Sequence, residues 1–214
     1  MPHSGGFVRR VGHFALPYIS MRIAALLLLC STLAFPQAAK TPATPPTKKP
    51  SAGPTKPGMS YFCNQDLGYC FDFPLSWKML GQVYEGYGAV VAPQQAGDQA
   101  TWANVTVAAV EIPTEEGKNP PTVEDLVTTL VGKMAQQTEA METARRSEEI
   151  LAGRSAQLIE VRYNENSQRW NETIVAMDGG DGMFYTIVYK ALAADAPKYQ
   201  KQVEEILKSF RIKE

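Results

Sequence analysis

Residues 60–77 read SYFCNQDLGYCFDFPLSW, and this stretch decides the fold. Residues 61–63 and 69–73 are aromatic-rich runs separated by turn-forming residues, a pattern typical of two short strands joined by a tight turn. Pro74 ends the second run because it has no backbone N–H to donate to a neighbouring strand. We therefore expect the folded part of the chain to open with an antiparallel hairpin.

Two cysteines, Cys63 and Cys70, flank this turn. In an antiparallel hairpin they can face each other at a distance that a disulfide spans, and an oxidising compartment favours that bond over two free thiols. A zinc site would need about four ligands, and no further cysteine or histidine follows residue 58. A redox pair would need a C-x-x-C motif. The spacing therefore predicts a structural disulfide between Cys63 and Cys70.

Apolar periodicity predicts further strands and two helices. The strands are expected at residues 88–92, 103–112, 149–151, 157–163, 170–177 and 183–192. The first helix is expected to begin at Thr122, which forms a capping pair with Asp125. The second is expected to begin at Asp195, with Pro197 in its first turn, and to carry apolar residues at helical spacing as far as Phe210.

The connections and the apolar pattern together predict the fold class. Short polar turns link the later strands, as in antiparallel hairpins. Residues 178–182, DGGDG, are interpreted as such a turn because they lack the alternating ligands and closing glutamate of a calcium-binding loop. Several strands are apolar at both odd and even positions, so both sheet faces should be covered. We therefore expect an α+β fold, an antiparallel β-sheet flanked by helices.

Charge and histidine content argue against several kinds of site. Residues 59–214 contain 14 Lys/Arg and 22 Asp/Glu, a net charge of −8, which repels nucleic acid. The chain's histidines, His3 and His13, both precede this domain. The domain therefore cannot supply a Ser-His-Asp or Cys-His catalytic group or a histidine-ligated zinc or haem. We expect no enzyme activity and no catalytic, metal or cofactor site.

Residues 1–39 have the features of an N-terminal extension and an export signal. Residues 23–35 form a 13-residue uncharged apolar run. A membrane-spanning helix needs about 20 such residues, so the run fits the core of a signal peptide better. Arg22 supplies the positive flank, and the small residues at 37–39 suit cleavage before Lys40.

The start and the processing of this signal leave alternatives open. Counting from Met21 gives a compact signal, so we expect translation to begin there, with a start at Met1 as the alternative. Lipidation at Cys30 would anchor the protein, but bulky Leu29 precedes that cysteine and the apolar run continues beyond it, which favours simple cleavage.

Residues 40–58 are predicted to form a disordered linker before a single domain at 59–214. The linker contains six prolines, four lysines and no large apolar residue, so it cannot bury enough surface to become ordered. Together with the signal it predicts a periplasmic or secreted protein that meets the membrane only through its signal segment before cleavage.

In four features the chain resembles members of the PsbP-like superfamily, in particular its exported bacterial domains. These features are Tyr61, the Gly68-x-x-Phe71-x-Phe73-Pro74-x-x-Trp77 opening, the MFYTIVYKA strand from Met183, and the closing ILKSFRI helix from Ile206. The resemblance covers most of residues 60–213 and implies an α/β/α sandwich with a mostly non-enzymatic role. It does not account for the cysteine pair, which is not a hallmark of that family.

The function expected from these observations is that of an exported, non-catalytic accessory or interaction module. Its partner would be another envelope or extracellular protein. A small-ligand or lipid carrier with an apolar pocket between sheet and helix is the first alternative. A carboxylate-dependent hydrolase, with two acids about 5–9 Å apart in a cleft, is the second.

Overall fold

The computed structural model describes residues 56–94, 103–114, 117 and 119–213, all within the compact unit Thr47–Glu214. The strands are β1 Met59–Asn64, β2 Tyr69–Pro74, β3 Trp77–Val83, β4 Gly88–Pro93, β5 Ala103–Glu111, β6 Glu139–Leu151, β7 Arg154–Glu165, β8 Gln168–Gly180, β9 Met183–Leu192 and β10 Arg211–Ile212. The helices are α1 Val123–Gln137 and α2 Ala196–Ser209, and a one-turn 3-10 helix, Tyr84–Gly86, links β3 to β4.

The strands form two antiparallel sheets. The larger has seven strands in the order β3-β4-β5-β9-β8-β7-β6, and the smaller has three in the order β1-β2-β10. Strands β6 to β9 follow one another through two-residue turns, as the short polar links predicted. In the last of these turns Asp181 and Gly182 have φ values of 53° and 78°, the left-handed conformation that a two-residue hairpin turn needs. The interpretation of DGGDG as a hairpin turn is confirmed.

Both faces of the large sheet are covered, as the apolar pattern predicted. Helix α2 and the small sheet lie on one face, where Phe71, Trp77 and Ile206 belong to the main core. The ring of Trp77 meets that of Tyr199 edge-on, with centroids 5.9 Å apart. Helix α1 contacts β6, β7 and β8 on the other face, where its buried Leu126 belongs to a second core. The α+β fold class is thereby confirmed.

The two helices begin where the sequence predicts, for different physical reasons. At α1, Thr122 and Asp125 form a capping box: the Asp125 amide donates to Thr122 Oγ1 at 3.2 Å, and the Thr122 amide donates to Asp125 Oδ2 at 2.9 Å. At α2, Asp195 occupies the N-cap position, but its side chain makes no capping hydrogen bond. Pro197 in the first turn favours the helical conformation there.

A network of polar contacts, called the polar clasp, joins the end of α2 and β10 to β2. Asp72 is fully buried, and Arg211 Nη1 donates to its Oδ1 at 2.8 Å. The hydroxyl of Ser209 donates to the Asp72 carbonyl at 3.1 Å and accepts from its amide at 2.8 Å. The clasp spans more than 130 residues of sequence, and it explains why the closing segment belongs to the domain.

The structure differs from the sequence prediction in its edge elements. Strand β3 was not predicted, because its exposed positions include the apolar Leu80 and its inward positions include Gly81, which hides the alternation in the sequence. Strand β6 begins at Glu139, whereas the prediction began it at residue 149. The prediction missed its first ten residues because they are largely exposed and show no apolar period. Strand β10 was missed because ILKSFRI was assigned entirely to the closing helix, which in the structure ends at Ser209. The strands also divide into two sheets where one was expected.

Several predictions concern residues outside those that the structure describes. These are the signal at 23–35, the start at Met21, lipidation at Cys30 and the linker as far as residue 55, all of which stay predictions. Within 56–94, 103–114, 117 and 119–213, neither helix is long and apolar enough to cross a membrane.

Candidate functional site

The two predicted site residues, Cys63 and Cys70, lie directly opposite each other in the β1–β2 pairing. Their Sγ atoms are 2.13 Å apart and their Cα atoms 4.1 Å apart. The structure therefore brings them together at disulfide distance, in the way that the hairpin predicted. Cys70 is buried in the central strand of the small sheet, and Cys63 lines a surface cleft at the end of the hairpin.

This surface cleft, called the hairpin cleft below, has a volume of about 540 Å³. It lies where the β1–β2 turn meets the 3-10 turn that follows β3. Its lining is mostly polar, and it consists of Cys63, Asn64, Gln65, Asp66, Leu67, Gln82, Gly86 and Tyr87. Two connections on a rigid sheet scaffold therefore build it, the usual position for a binding site.

One buried side chain, that of Asn64, joins the two walls of the hairpin cleft. Its Nδ2 donates to the Gly86 carbonyl at 2.8 Å, and its Oδ1 accepts from the Leu67 amide at 3.1 Å. Because the first contact connects residues 22 positions apart, it fixes the 3-10 turn against the hairpin turn. The cleft is therefore formed without a ligand.

Two tyrosine hydroxyls and Lys213 form hydrogen bonds with residues that line or adjoin the cleft. Tyr69 Oη donates to the Tyr87 carbonyl at 3.4 Å, and burial raises the pKa of Tyr69 to about 12, so the hydroxyl keeps its proton at neutral pH. Tyr185 Oη donates to the Leu67 carbonyl at 2.9 Å. The Lys213 amide donates to the Gly68 carbonyl at 2.7 Å, and the Lys213 ammonium donates to Gln65.

A second polar group lies on the α1 face of the large sheet, and the sequence analysis missed it. Glu172 accepts a 2.7 Å hydrogen bond from Tyr163 Oη. Burial raises the pKa of Glu172, while Tyr163 and Lys190 oppose that rise. The signal was available: Trp170, Glu172 and Ile174 share one face of β8, so a carboxylate stands in an otherwise buried row.

Lys190 completes this polar group. Its ammonium lies 4.7 Å from the ring centroid of Trp170 and 5.5 Å from that of Tyr163, and it pairs with Glu165 Oε2 at 2.9 Å. Glu165 and Glu172 are the acids that the hydrolase alternative would use, and a raised pKa suits a general acid. Both carboxylates, however, already bind partners of this chain, so the arrangement favours a structural role.

A second cleft, of about 400 Å³, is lined by Glu124, Arg146, Ser147, Glu148 and Gln157. Arg146 binds Glu124 there, which lowers the pKa of that carboxyl. Neither cleft is an apolar cavity between the sheet and a helix, the feature that a lipid carrier needs. The described residues also contain no group of three or more histidine, cysteine, aspartate or glutamate side chains placed to hold a metal ion.

Comparison with known proteins agrees with this architecture. The family model described as PsbP matches residues 57–212. Cyanobacterial PsbP (CyanoP) from Synechocystis sp. PCC 6803 superposes with a TM-score of 0.51 at 15% identity, covering 76% of this chain and 98% of CyanoP. The Ran-binding protein Mog1p of Saccharomyces cerevisiae gives 0.50 at 12% identity, covering 72% and 95%. No curated protein matches the chain. At these identities the structural likeness shows the fold alone.

Proposed function

The chain belongs to the PsbP family, and from that premise we propose that it is an exported, non-catalytic module that binds another protein in the periplasm or outside the cell. The apolar run at 23–35 and the following linker support export. The cysteine pair at disulfide distance suits an oxidising compartment. The absence of histidine after residue 58 supports a role without catalysis.

The distribution of exposed apolar side chains carries the proposal of a protein partner. Among the described residues, the large exposed ones are Tyr61, Leu75, Leu80, Tyr87 and Ile150. All but Ile150 fall within residues 61–87, the segment that forms β1 to β3 and the turn into β4. Exposed apolar side chains are typical of protein interfaces, so we look for the partner contact on this segment of the chain.

Leu80 is the residue at which we place the partner. It is 54% exposed and lies at the bulge of β3, the edge strand of the large sheet. This edge carries a single charged residue, Lys78, whereas the opposite edge strand, β6, carries six charged residues. The β3 edge is therefore the less charged of the two, and we assign the partner contact to the exposed Leu80 side chain on it.

The fold is compatible with this role. Mog1p, one of the structural relatives, is described as a Ran-binding protein, so a protein of similar fold does bind a protein partner. The identity of 12% carries no information about which partner this chain binds.

Site-specific photo-crosslinking in the native host tests the proposal. A photoreactive amino acid is placed at Leu80 in the full chain, and a matched chain carries it at Ile150, which is 75% exposed on β6. We expect ultraviolet light to give a discrete protein adduct in the envelope or secreted fraction from position 80 and none from position 150.

A competition variant separates a specific contact from general stickiness. Added in excess without the photoreactive group, the wild-type chain and the Ile150→Glu variant should suppress the adduct from position 80, whereas the Leu80→Glu variant should not. Both variants should melt like the wild type because both side chains are exposed. Equal adducts from the two positions, or no adduct from either, would refute a partner at the β3 edge.

A further inference from the structure

The hairpin cleft has the volume of a small-ligand site. Its volume of about 540 Å³ lies within the range of roughly 300–1,000 Å³ that ligand sites occupy. Asn64 already joins its two walls, and the Cys63–Cys70 pair lies at one end. A ligand would therefore not have to order the cleft before binding, which removes a large part of the entropic penalty of association.

The side chains that line the cleft define the chemistry of that ligand. Gln65 and Gln82 are exposed amides, which both donate and accept hydrogen bonds, and Asp66 is an exposed carboxylate, which accepts them. Tyr87 is 37% exposed and adds an aromatic ring, which offers an apolar surface with a polar tip. A ligand that matches this set has many hydroxyl groups and one flat apolar face.

Charge argues against the other ligand classes. An anion would meet Asp66 and a domain whose net charge is −8, with Lys213 as a basic neighbour that already donates to Gln65. A calcium ion takes six to eight oxygen ligands, and the cleft lining offers one carboxylate. A lipid tail would leave the amides without partners. A neutral ligand rich in hydroxyls avoids all three penalties.

We propose that the hairpin cleft binds a neutral sugar unit of a glycan. The hydroxyls of the sugar bind Gln65, Gln82 and Asp66, and its C–H face packs on the ring of Tyr87. This site adjoins the partner contact assigned to Leu80, because Gln82 follows Leu80 by two residues on β3, but the sugar contacts do not depend on that partner. A module with both features would connect a protein to a glycan.

Nuclear magnetic resonance titration of the mature exported protein tests the site. The probes are chitotriose and maltotriose, each added to about 10 mM, a concentration that detects millimolar binding. We expect one of them to shift the backbone amides of residues 64–67 and 86–87 in a saturable manner. Loss of the aromatic face in Tyr87→Ala should weaken binding by roughly tenfold.

Tyr61→Ala is the matched control, because Tyr61 is 39% exposed and does not line the cleft. Its binding should equal that of the wild type. Gln82→Ala gives a second test if Tyr87→Ala perturbs the fold, and it should also weaken binding. The proposal is overturned if neither sugar shifts the cleft amides, if the shifts map elsewhere, or if Tyr61→Ala weakens binding as much as Tyr87→Ala.

Discussion

Breaking the link between Cys63 and Cys70 should lower stability by an amount that the structure allows us to calculate. The two residues are seven positions apart, so the disulfide closes a short loop. In the chain-entropy account, closing a loop of this length restricts the unfolded chain by about 2.5 kcal/mol. Because the β1–β2 hairpin contributes Tyr69, Phe71 and Phe73 to the main core, the loss should appear in the global unfolding of the domain.

Urea unfolding of the purified protein, followed by tryptophan fluorescence, measures this loss. With a urea dependence of about 2 kcal/mol per molar, reductant should lower the unfolding midpoint by roughly 1 M. The variant Cys63→Ala/Cys70→Ala should show the same low midpoint with and without reductant. The comparison between reduced and oxidised wild type isolates the covalent link from the packing of the two sulfur atoms.

A thiol titration of the unreduced, denatured protein completes the experiment. We expect no reactive thiol in the domain. Two titrating thiols, together with a midpoint that does not respond to reductant, would show that the pair is not bonded and would remove one support for an oxidising location.

Two further predictions concern the core and the buried carboxylate. Ile206→Asp should abolish folding, because Ile206 is 0% exposed, whereas Leu207→Asp, at a half-buried position, should leave a destabilised but folded domain. Circular dichroism melts distinguish the two variants, and equal melts would contradict the assigned helix face. Tyr163→Phe should cost about 1–3 kcal/mol at neutral pH by leaving the Glu172 carboxylate without its donor. Because burial raises the pKa of Glu172 in the folded state above its ordinary value of 4.5, wild-type stability should fall as pH rises from 4.5 through that folded pKa. Glu172→Gln should remove this dependence, and a variant with the same pH profile as the wild type would refute the assignment.

The elements that the sequence predicted well are those whose side chains are buried. Strand β9 is a nearly continuous apolar run because both of its faces are covered, and helix α2 carries apolar residues at helical spacing because one of its faces packs against the main core. The edge strands gave a weaker signal. Residues 139–148 of β6 are largely exposed, so burial imposes no pattern on them. In β3 the apolar Leu80 is exposed, which hides the alternation of its inward and outward positions.

The hairpin cleft could not be predicted, because it depends on a contact between separate parts of the chain. The hydrogen bond from Asn64 to Gly86 joins two turns that sequence reasoning treated independently. Cys63 and Cys70, by contrast, are close in sequence, so a local hairpin argument was enough to bring them together. Glu172 lies between these cases, since its position on the buried face of β8 was visible in the sequence.

Intact-mass measurement tests the claim of export most directly. The protein is recovered from separated cytoplasmic, envelope and secreted fractions of the native host. We expect a chain that begins near Lys40, carries a bond between Cys63 and Cys70, and is found outside the cytoplasm. A cytoplasmic chain that still begins at Met1 or Met21, with both of these cysteines as free thiols, would contradict the account.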